Sequence, residues 1–103
     1  MDLRGDIEED YKSIAKATLF TAIVFDDLFY EDKRVAKQIE YAKLLGKPFY
    51  FCVKQGMVLP AYITDGISVL VVKYFNNSQE MNEVLSDANA LANILFEKSL
   101  ETK

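Results

Sequence analysis

The segment that most restricts the fold of this chain is residues 21–54, which are TAIVFDDLFYEDKRVAKQIEYAKLLGKPFYFCVK. Two short apolar runs, residues 18–25 and 48–54, flank a stretch with helical periodicity. Uninterrupted apolar runs, unlike alternating ones, are typical of parallel strands that are covered on both faces. The segment therefore predicts strand, loop, helix, turn and strand, which is a βαβ unit.

The helix inside this unit is predicted over residues 32–45. Apolar residues recur there every three or four positions, Asp32 can cap the start, and Gly46 and Pro48 mark the end. Similar patterns predict an amphipathic helix over residues 3–17 and a long one over residues 78–100.

A third strand is predicted over residues 67–72, beside strands over 19–25 and 49–53. The sequence therefore predicts a single α/β domain, residues 1–103, with a three-stranded parallel sheet. Right-handed crossovers between strands in sequential order would place both connecting helices on one face. The other face would be covered by the terminal helices or by a second subunit.

Composition excludes several kinds of site and partner. The chain has no histidine, which removes His-based catalytic triads and Cys/His zinc sites, and we expect neither metal nor cofactor. Its net charge is −4 with the basic residues scattered, so nucleic acid is not an expected partner.

Location is predicted from the apolar runs and the first residues. No run approaches the ~20 apolar residues that span a bilayer, so no membrane association is expected. The acidic start MDLRGDIEED lacks the features of a secretory signal, which predicts a cytoplasmic protein. The lone Cys52, in an apolar strand, is expected to be a buried and inert thiol.

Residues 14–53 contain four short motifs: Ile23-Val24-Phe25-Asp26, the pair Gln38-Ile39, Ala42, and Gly46-Lys47-Pro48-Phe49. Together they resemble two related α/β families, TIR domains and nucleoside 2-deoxyribosyltransferase-like proteins. The resemblance implies a small three-layer fold of the flavodoxin/TIR-like kind. It also implies a truncated version, because these families begin with a central strand for which a chain starting at a helix has no room.

In active members of these families, a helix glutamate four residues before the alanine works at the N-glycosidic bond of a nucleoside or of NAD. Counting back from Ala42, this chain has Gln38 at that position. An amide cannot act as a carboxylate nucleophile or stabilise an oxocarbenium ion by charge. The resemblance thus implies a loss of catalysis.

Four residues are candidates for binding a nucleotide-like small molecule: Asp26, Asp27, Arg34 and Gln38. The two aspartates follow the first strand, where open α/β sheets place their ligands, and they could bind a metal or orient a ribose there. Acidic loop residues more commonly make turns or cap helices. Gln38 is either a remnant of the family's pocket or a polar residue at the border of the apolar stripe.

These observations predict a non-catalytic TIR-like or deoxyribosyltransferase-like module for binding or homotypic interaction. The alternative is an enzyme that cleaves an N-glycosidic bond with Asp26 or Glu40 replacing the lost carboxylate, and a third possibility is a purely structural dimer. We expect a homodimer, formed either through the open edge of the first strand or through an apolar stripe on the last helix. The candidate stripe residues are Met81, Leu85, Ala88, Leu91 and Leu95.

Overall fold

The fold is a three-stranded parallel sheet with helices on both faces, in a computed structural model that describes residues 3–26 and 28–101. Its helices are α1 Leu3–Lys16, α2 Leu28–Glu31, α3 Lys33–Leu44, α4 Ala61–Thr64 and α5 Ser78–Glu101. Its strands are β1 Phe20–Val24, β2 Phe49–Lys54 and β3 Leu70–Phe75. The prediction of a three-stranded parallel sheet is confirmed.

The strands lie in the order β1-β2-β3, so β2 is the central strand. Phe20 is opposite Phe49 in the first pair, and Phe49 is opposite Leu70 in the second. This sequential order matches the last three strands of the 2-1-3-4-5 order of flavodoxin-like sheets. The described sheet is therefore consistent with a truncated flavodoxin-like fold.

Strand β2 is buried on both faces, which explains its uninterrupted apolar sequence. Phe49, Phe51 and Val53 point to one face, called here the α3 face, where they pack with Ile39 and Ala42 of α3. Tyr50 and Cys52 alternate with them and point to the opposite face, the α5 face. Every residue from Phe49 to Val53 is buried, as expected for a strand between two helical layers.

The α3 face carries α1 and α4 as well as α3. Ile14 of α1 and Ile63 of α4 belong to the same apolar cluster as Phe51, and α1 packs along α3. Both crossover connections therefore lie on one face, as the handedness rule requires. The sequence predicts that the terminal helices could cover the opposite face. For α1 this prediction is wrong, because α1 packs against α3 on the α3 face.

The α5 face is covered by α5. Ala88 packs in a cluster with Tyr50 of β2 and Leu19, which precedes β1. Thr18 Oγ1 donates a hydrogen bond to Ala92 O at 3.1 Å. Helix α5 contacts β3 and β2, and the hydrogen bond at Ala92 places it near the start of β1 as well.

Helix α3 begins and ends as its sequence predicts. Asp32 is its N-cap, and Oδ1 accepts hydrogen bonds from Arg34 N at 2.9 Å and Val35 N at 3.3 Å. Gly46 follows the helix with φ +70, a left-handed conformation that glycine adopts without strain. Lys47 Nζ then donates to Ala15 O at 3.0 Å and Ala17 O at 2.7 Å, which fixes the end of α1 beside β1.

The start of strand β3 and the presence of helix α2 differ from the sequence prediction. Strand β3 begins at Leu70 and not at residue 67, because Ile67 N donates to Thr64 O at 3.3 Å and remains in the turn that Gly66 makes at φ +84. The short helix α2 was not expected, since four residues show no periodicity. No helix within residues 3–26 and 28–101 combines the length and apolar character needed to cross a bilayer.

Candidate functional site

The candidate site lies between α1 and the first turns of α3, where Arg34 and Gln38 project. The two residues are four apart, so they share one side of α3. Both side chains hydrogen-bond to Asp10 of α1. The structure thus brings together two of the four candidate residues and joins both to Asp10, which the sequence patterns did not indicate.

Asp10 is held by three hydrogen bonds, and the set of Asp10, Arg34 and Gln38 is called here the Asp10 cluster. Arg34 Nε donates to Asp10 Oδ2 at 2.5 Å and Arg34 Nη2 donates to Oδ1 at 2.9 Å, which is the bidentate geometry of an Arg–carboxylate pair. Gln38 Nε2 donates to Oδ2 at 2.8 Å. The carboxylate therefore ties α1 to α3.

These donors lower the pKa of Asp10 below its ordinary value, with the Arg34 hydrogen bond as the larger cause and the Gln38 hydrogen bond as the next. A pKa that is lower in the folded state means that the ionised carboxylate stabilises the fold. This contribution is fully present at pH values above the ordinary aspartate pKa, ~3.9. That contribution is lost as the pH falls through the lowered pKa. At neutral pH Asp10 is a carboxylate and Gln38 presents its amide nitrogen to it.

Asp26 follows β1 at the edge where the strands end, as expected, and it is exposed. Its carbonyl oxygen accepts a hydrogen bond from Phe29 N at 3.3 Å, which begins α2. Asp27 lies outside the described residues. Glu40, the other residue considered for a displaced carboxylate, is exposed on α3.

A small apolar cleft lies between α2, α3 and α4 and has a volume of about 60 Å³. Phe29, Ile39 and Ile63 line it, together with the polar side chains of Glu40 and Lys43. Drug-sized ligands occupy cavities of roughly 300 Å³ or more, so this cleft is too small for a whole nucleotide.

A larger depression, about 520 Å³, lies on the outer surface of α1 and α3. Tyr11 and Tyr41 line it, with ring centroids 4.5 Å apart, and Lys37, Glu40 and Leu44 complete it. Glu40 therefore borders both the small apolar cleft and this depression. Among the described residues, no group of three Cys, Asp or Glu side chains lies together in a way that could hold a metal ion.

The α5 face carries a buried tyrosine that is hydrogen-bonded to a carboxylate. Tyr50 Oη donates to Asp87 Oδ2 at 2.6 Å, and burial, followed by this hydrogen bond, raises the pKa of Tyr50 above its ordinary value. The phenol therefore stays neutral and anchors α5 to β2. Cys52 is also buried, and burial raises the pKa of its thiol, which lowers its reactivity.

The residues proposed for a helix-mediated dimer pack largely inside the chain. Ala88 is buried against Tyr50, Leu91 and Leu95 pack on the same cluster, and Met81 and Leu85 are half-buried. The apolar side chains that α5 leaves exposed are Ile94, Phe96 and Leu100. Phe96 continues the apolar stripe in sequence but is 52% exposed.

We expect Gln38→Glu to lower the thermal unfolding midpoint by several degrees at pH 7. The change replaces a donor with a second carboxylate at hydrogen-bond distance from Asp10, and like charges at that distance cannot both ionise freely. The pKa of one carboxyl should rise, so the difference from wild type should shrink as the pH falls towards ~4. Differential scanning fluorimetry at pH 7 and pH 4 measures both effects.

The matched control is Gln55→Glu, the same chemical change at an exposed turn residue. It should leave the midpoint near that of wild type at both pH values. Equal midpoints for Gln38→Glu and Gln55→Glu at pH 7 would show that the Asp10 cluster does not form.

Comparison with known proteins identifies the fold and no more. No protein-family model matches the chain, and a search of curated proteins gives no match. Among solved structures, the chain is similar to the CMP N-glycosidase BcmB of Clostridium botulinum, with a TM-score of 0.66 and 18% identity. The similarity covers 81% of this chain and 73% of that one. At this identity the likeness establishes a shared α/β architecture.

Proposed function

We propose that this chain is a non-catalytic interaction module built on a nucleotide-handling α/β architecture, and that it acts by associating with a second copy of itself. The proposal that the chain is non-catalytic rests on the Asp10 cluster. The residue at the position of the family's catalytic glutamate is Gln38, and its amide is already used as a donor to Asp10. The cluster supports a structural role for this position.

The chemistry of N-glycosidic cleavage supports the same conclusion. Retaining and inverting enzymes use a pair of carboxylates, one of which must attack the anomeric carbon or activate water. At the Asp10 cluster the carboxylate is held by Arg34 and Gln38 through both of its oxygens. Its lone pairs are directed at these donors, and its lowered pKa makes it a poor proton acceptor at neutral pH.

Association is supported by apolar side chains that the described fold leaves exposed at the β1 side and the end of α5. Phe25, Ile94, Phe96 and Leu100 each expose about half of their surface. Phe25 follows β1 and the other three lie on the last turns of α5. A homotypic contact would cover them without requiring a second gene product.

The second candidate function is cleavage of a nucleotide's N-glycosidic bond with a displaced carboxylate. It is favoured by the fold that this chain shares with a CMP N-glycosidase. The carboxylates proposed for it are Asp26, at the edge where the strands end, and Glu40, beside the cleft and the depression. Nucleotide binding without cleavage is compatible with either function.

The catalytic question is settled by incubating the protein at high concentration with CMP, NAD and deoxynucleosides. We expect no release of free base by chromatography, from either wild type or Gln38→Glu. Base release by wild type that Asp26→Asn or Glu40→Gln abolished would overturn the non-catalytic proposal. Asp65→Asn, at an exposed turn, is the control that should leave any such activity unchanged.

A further inference from the structure

The outer edge of β1 has backbone groups without a strand partner in the described part of the chain. Phe20 N donates to Pro48 O at 2.9 Å, across to the segment that leads into β2. In a parallel ladder alternate residues direct both backbone groups to the same neighbour. The backbone N–H and C=O groups of Ala22 and Val24 therefore also point to β2. The N–H and C=O groups of Thr21 and Ile23 point away from it.

Nothing in β1 protects this edge. Natural sheets block edges with proline, charged side chains or bulges, and β1 is Phe-Thr-Ala-Ile-Val in a regular register. Thr21 is exposed and Ile23 is half-buried, and both side chains point to the α5 face. The contacts of helix α5 with the sheet are mainly with β2 and β3, and Thr21 at the edge remains exposed.

Each end of this edge carries an exposed apolar group on the α5 face. Beyond the carboxyl end of β1, Phe25 is 51% exposed and contacts Phe75 edge-on, with ring centroids 5.6 Å apart. Near the amino end, the Thr18–Ala92 hydrogen bond brings the last turns of α5 close to the strand. Phe96 and Leu100, which follow Ala92 by one and two turns, are 52% and 54% exposed.

Charged side chains lie at both ends of this edge. Asp26 lies beyond the carboxyl end of β1, on the side where Lys54 ends β2. Lys16, at the end of α1, and Lys47, which donates to Ala17 O, place positive charges beside the amino end. An antiparallel copy of the same strand would bring Asp26 of one chain towards Lys16 and Lys47 of the other.

We propose that a second copy of this chain docks antiparallel on β1, so that two sheets join into one continuous six-stranded sheet. With the two-fold axis at Ala22, Thr21 of each chain lies opposite Ile23 of the other. Each of these pairs exchanges two hydrogen bonds, which uses all the outward backbone groups of β1. This inference rests on the homotypic association proposed above and adds the surface that mediates it.

The same two-fold axis also brings the exposed apolar groups together. An axis perpendicular to the sheet keeps both α5 helices on one side of the joined sheet. In this register Phe25 of one chain lies opposite Leu19 of the other, beside the turns of α5 that carry Phe96. A two-fold interface makes each such contact twice.

The interface is small. It consists of one short strand edge and a few half-exposed side chains, which is below the ~1,200 Å² of a standard stable complex. The dimer should therefore be in rapid exchange, with a dissociation constant well above the low micromolar range. At low micromolar concentration the sedimentation mass should approach 11.8 kDa, and it should rise towards twice that value at several hundred micromolar.

Two measurements on the wild-type chain test the proposal without any variant. Sedimentation equilibrium gives the mass at each concentration. NMR-detected hydrogen exchange at the same concentrations should show the amides of Thr21 and Ile23 becoming protected as the mass rises. The amide of Ala22, which faces β2, should be protected throughout.

Thr21→Pro is the variant aimed at the edge. It removes an N–H that points away from β2, and edge strands accept proline at such a position. We expect dimerisation to weaken by at least ~10-fold, since a proline in the pairing strand both removes a donor and obstructs the partner. Phe96→Glu should also weaken it, and circular dichroism reports whether each variant folds.

The matched control for Phe96→Glu is Leu44→Glu, because Leu44 is 82% exposed on α3, on the opposite side of the sheet. It should leave the mass profile unchanged. A dimer in which the Thr21 and Ile23 amides exchange equally at all concentrations would overturn the β1 surface and leave homotypic association standing. A mass of 11.8 kDa up to several hundred micromolar would overturn both.

Discussion

Phe51→Ala is expected to lower the free energy of unfolding by about 3–5 kcal/mol, the range measured for removing a large buried aromatic side chain. Phe51 has no exposed surface and lies in the central strand, between Ala22 of β1 and Val72 of β3. Its ring belongs to the cluster that joins α3, α4 and the sheet. Because domains of this size are stable by only ~5–15 kcal/mol, the variant should be close to its folding threshold.

Urea denaturation followed by circular dichroism measures this effect. Leu44→Ala is the control, since it also shortens a large apolar side chain but at a position that is 82% exposed, and surface changes usually stay within ~0.5 kcal/mol. Similar denaturation midpoints for the two variants would mean that β2 is not the centre of the core.

Ala88→Glu should destabilise the fold by about 3 kcal/mol or more at pH 7, because it places a carboxylate between α5 and the sheet. Ala88 is 2% exposed and packs against Tyr50 and Leu19. Burial should raise the pKa of the new carboxyl, so the loss should be greatest above that pKa and smaller near pH 4, where the group is protonated. Urea denaturation at both pH values measures the difference.

Ala90→Glu makes the same change at an exposed position of the same helix, and its stability should stay within ~0.5 kcal/mol of wild type. Equal losses for the two variants would show that α5 is not docked on the sheet through Ala88.

The sheet could be predicted from sequence because its strands satisfy one simple requirement. Residues 49–53 are apolar without interruption, and the structure buries all of them between two layers. The beginning of β3 could not be predicted in this way. Ile67 and Val69 are as β-branched as the strand itself, but the hydrogen bond from Ile67 N to Thr64 O keeps Ile67 in the turn before the strand.

The Asp10 cluster shows which part of a candidate site local patterns can reveal. Arg34 and Gln38 are four residues apart on a predicted helix, so their shared side follows from helix geometry. Their partner is 24 residues from Arg34 and 28 from Gln38, on a helix whose packing face could not be assigned. The sequence contains only a weak indication that Asp10 faces α3. Asp10 directly precedes Tyr11, which lies on the apolar stripe of α1.

The sheet order also determines how this chain can assemble during folding. Phe20 pairs with Phe49 and Phe49 with Leu70, so each strand pair closes a loop of twenty residues or more and the described sheet contains no hairpin. Parallel pairing of this kind slows folding, because the entropy of closing each loop is lost before any ladder forms. Strand β2 takes part in both pairings, which makes it the expected folding nucleus. Stopped-flow refolding tests this: Phe51→Ala should slow refolding, and Ala88→Glu should mainly accelerate unfolding.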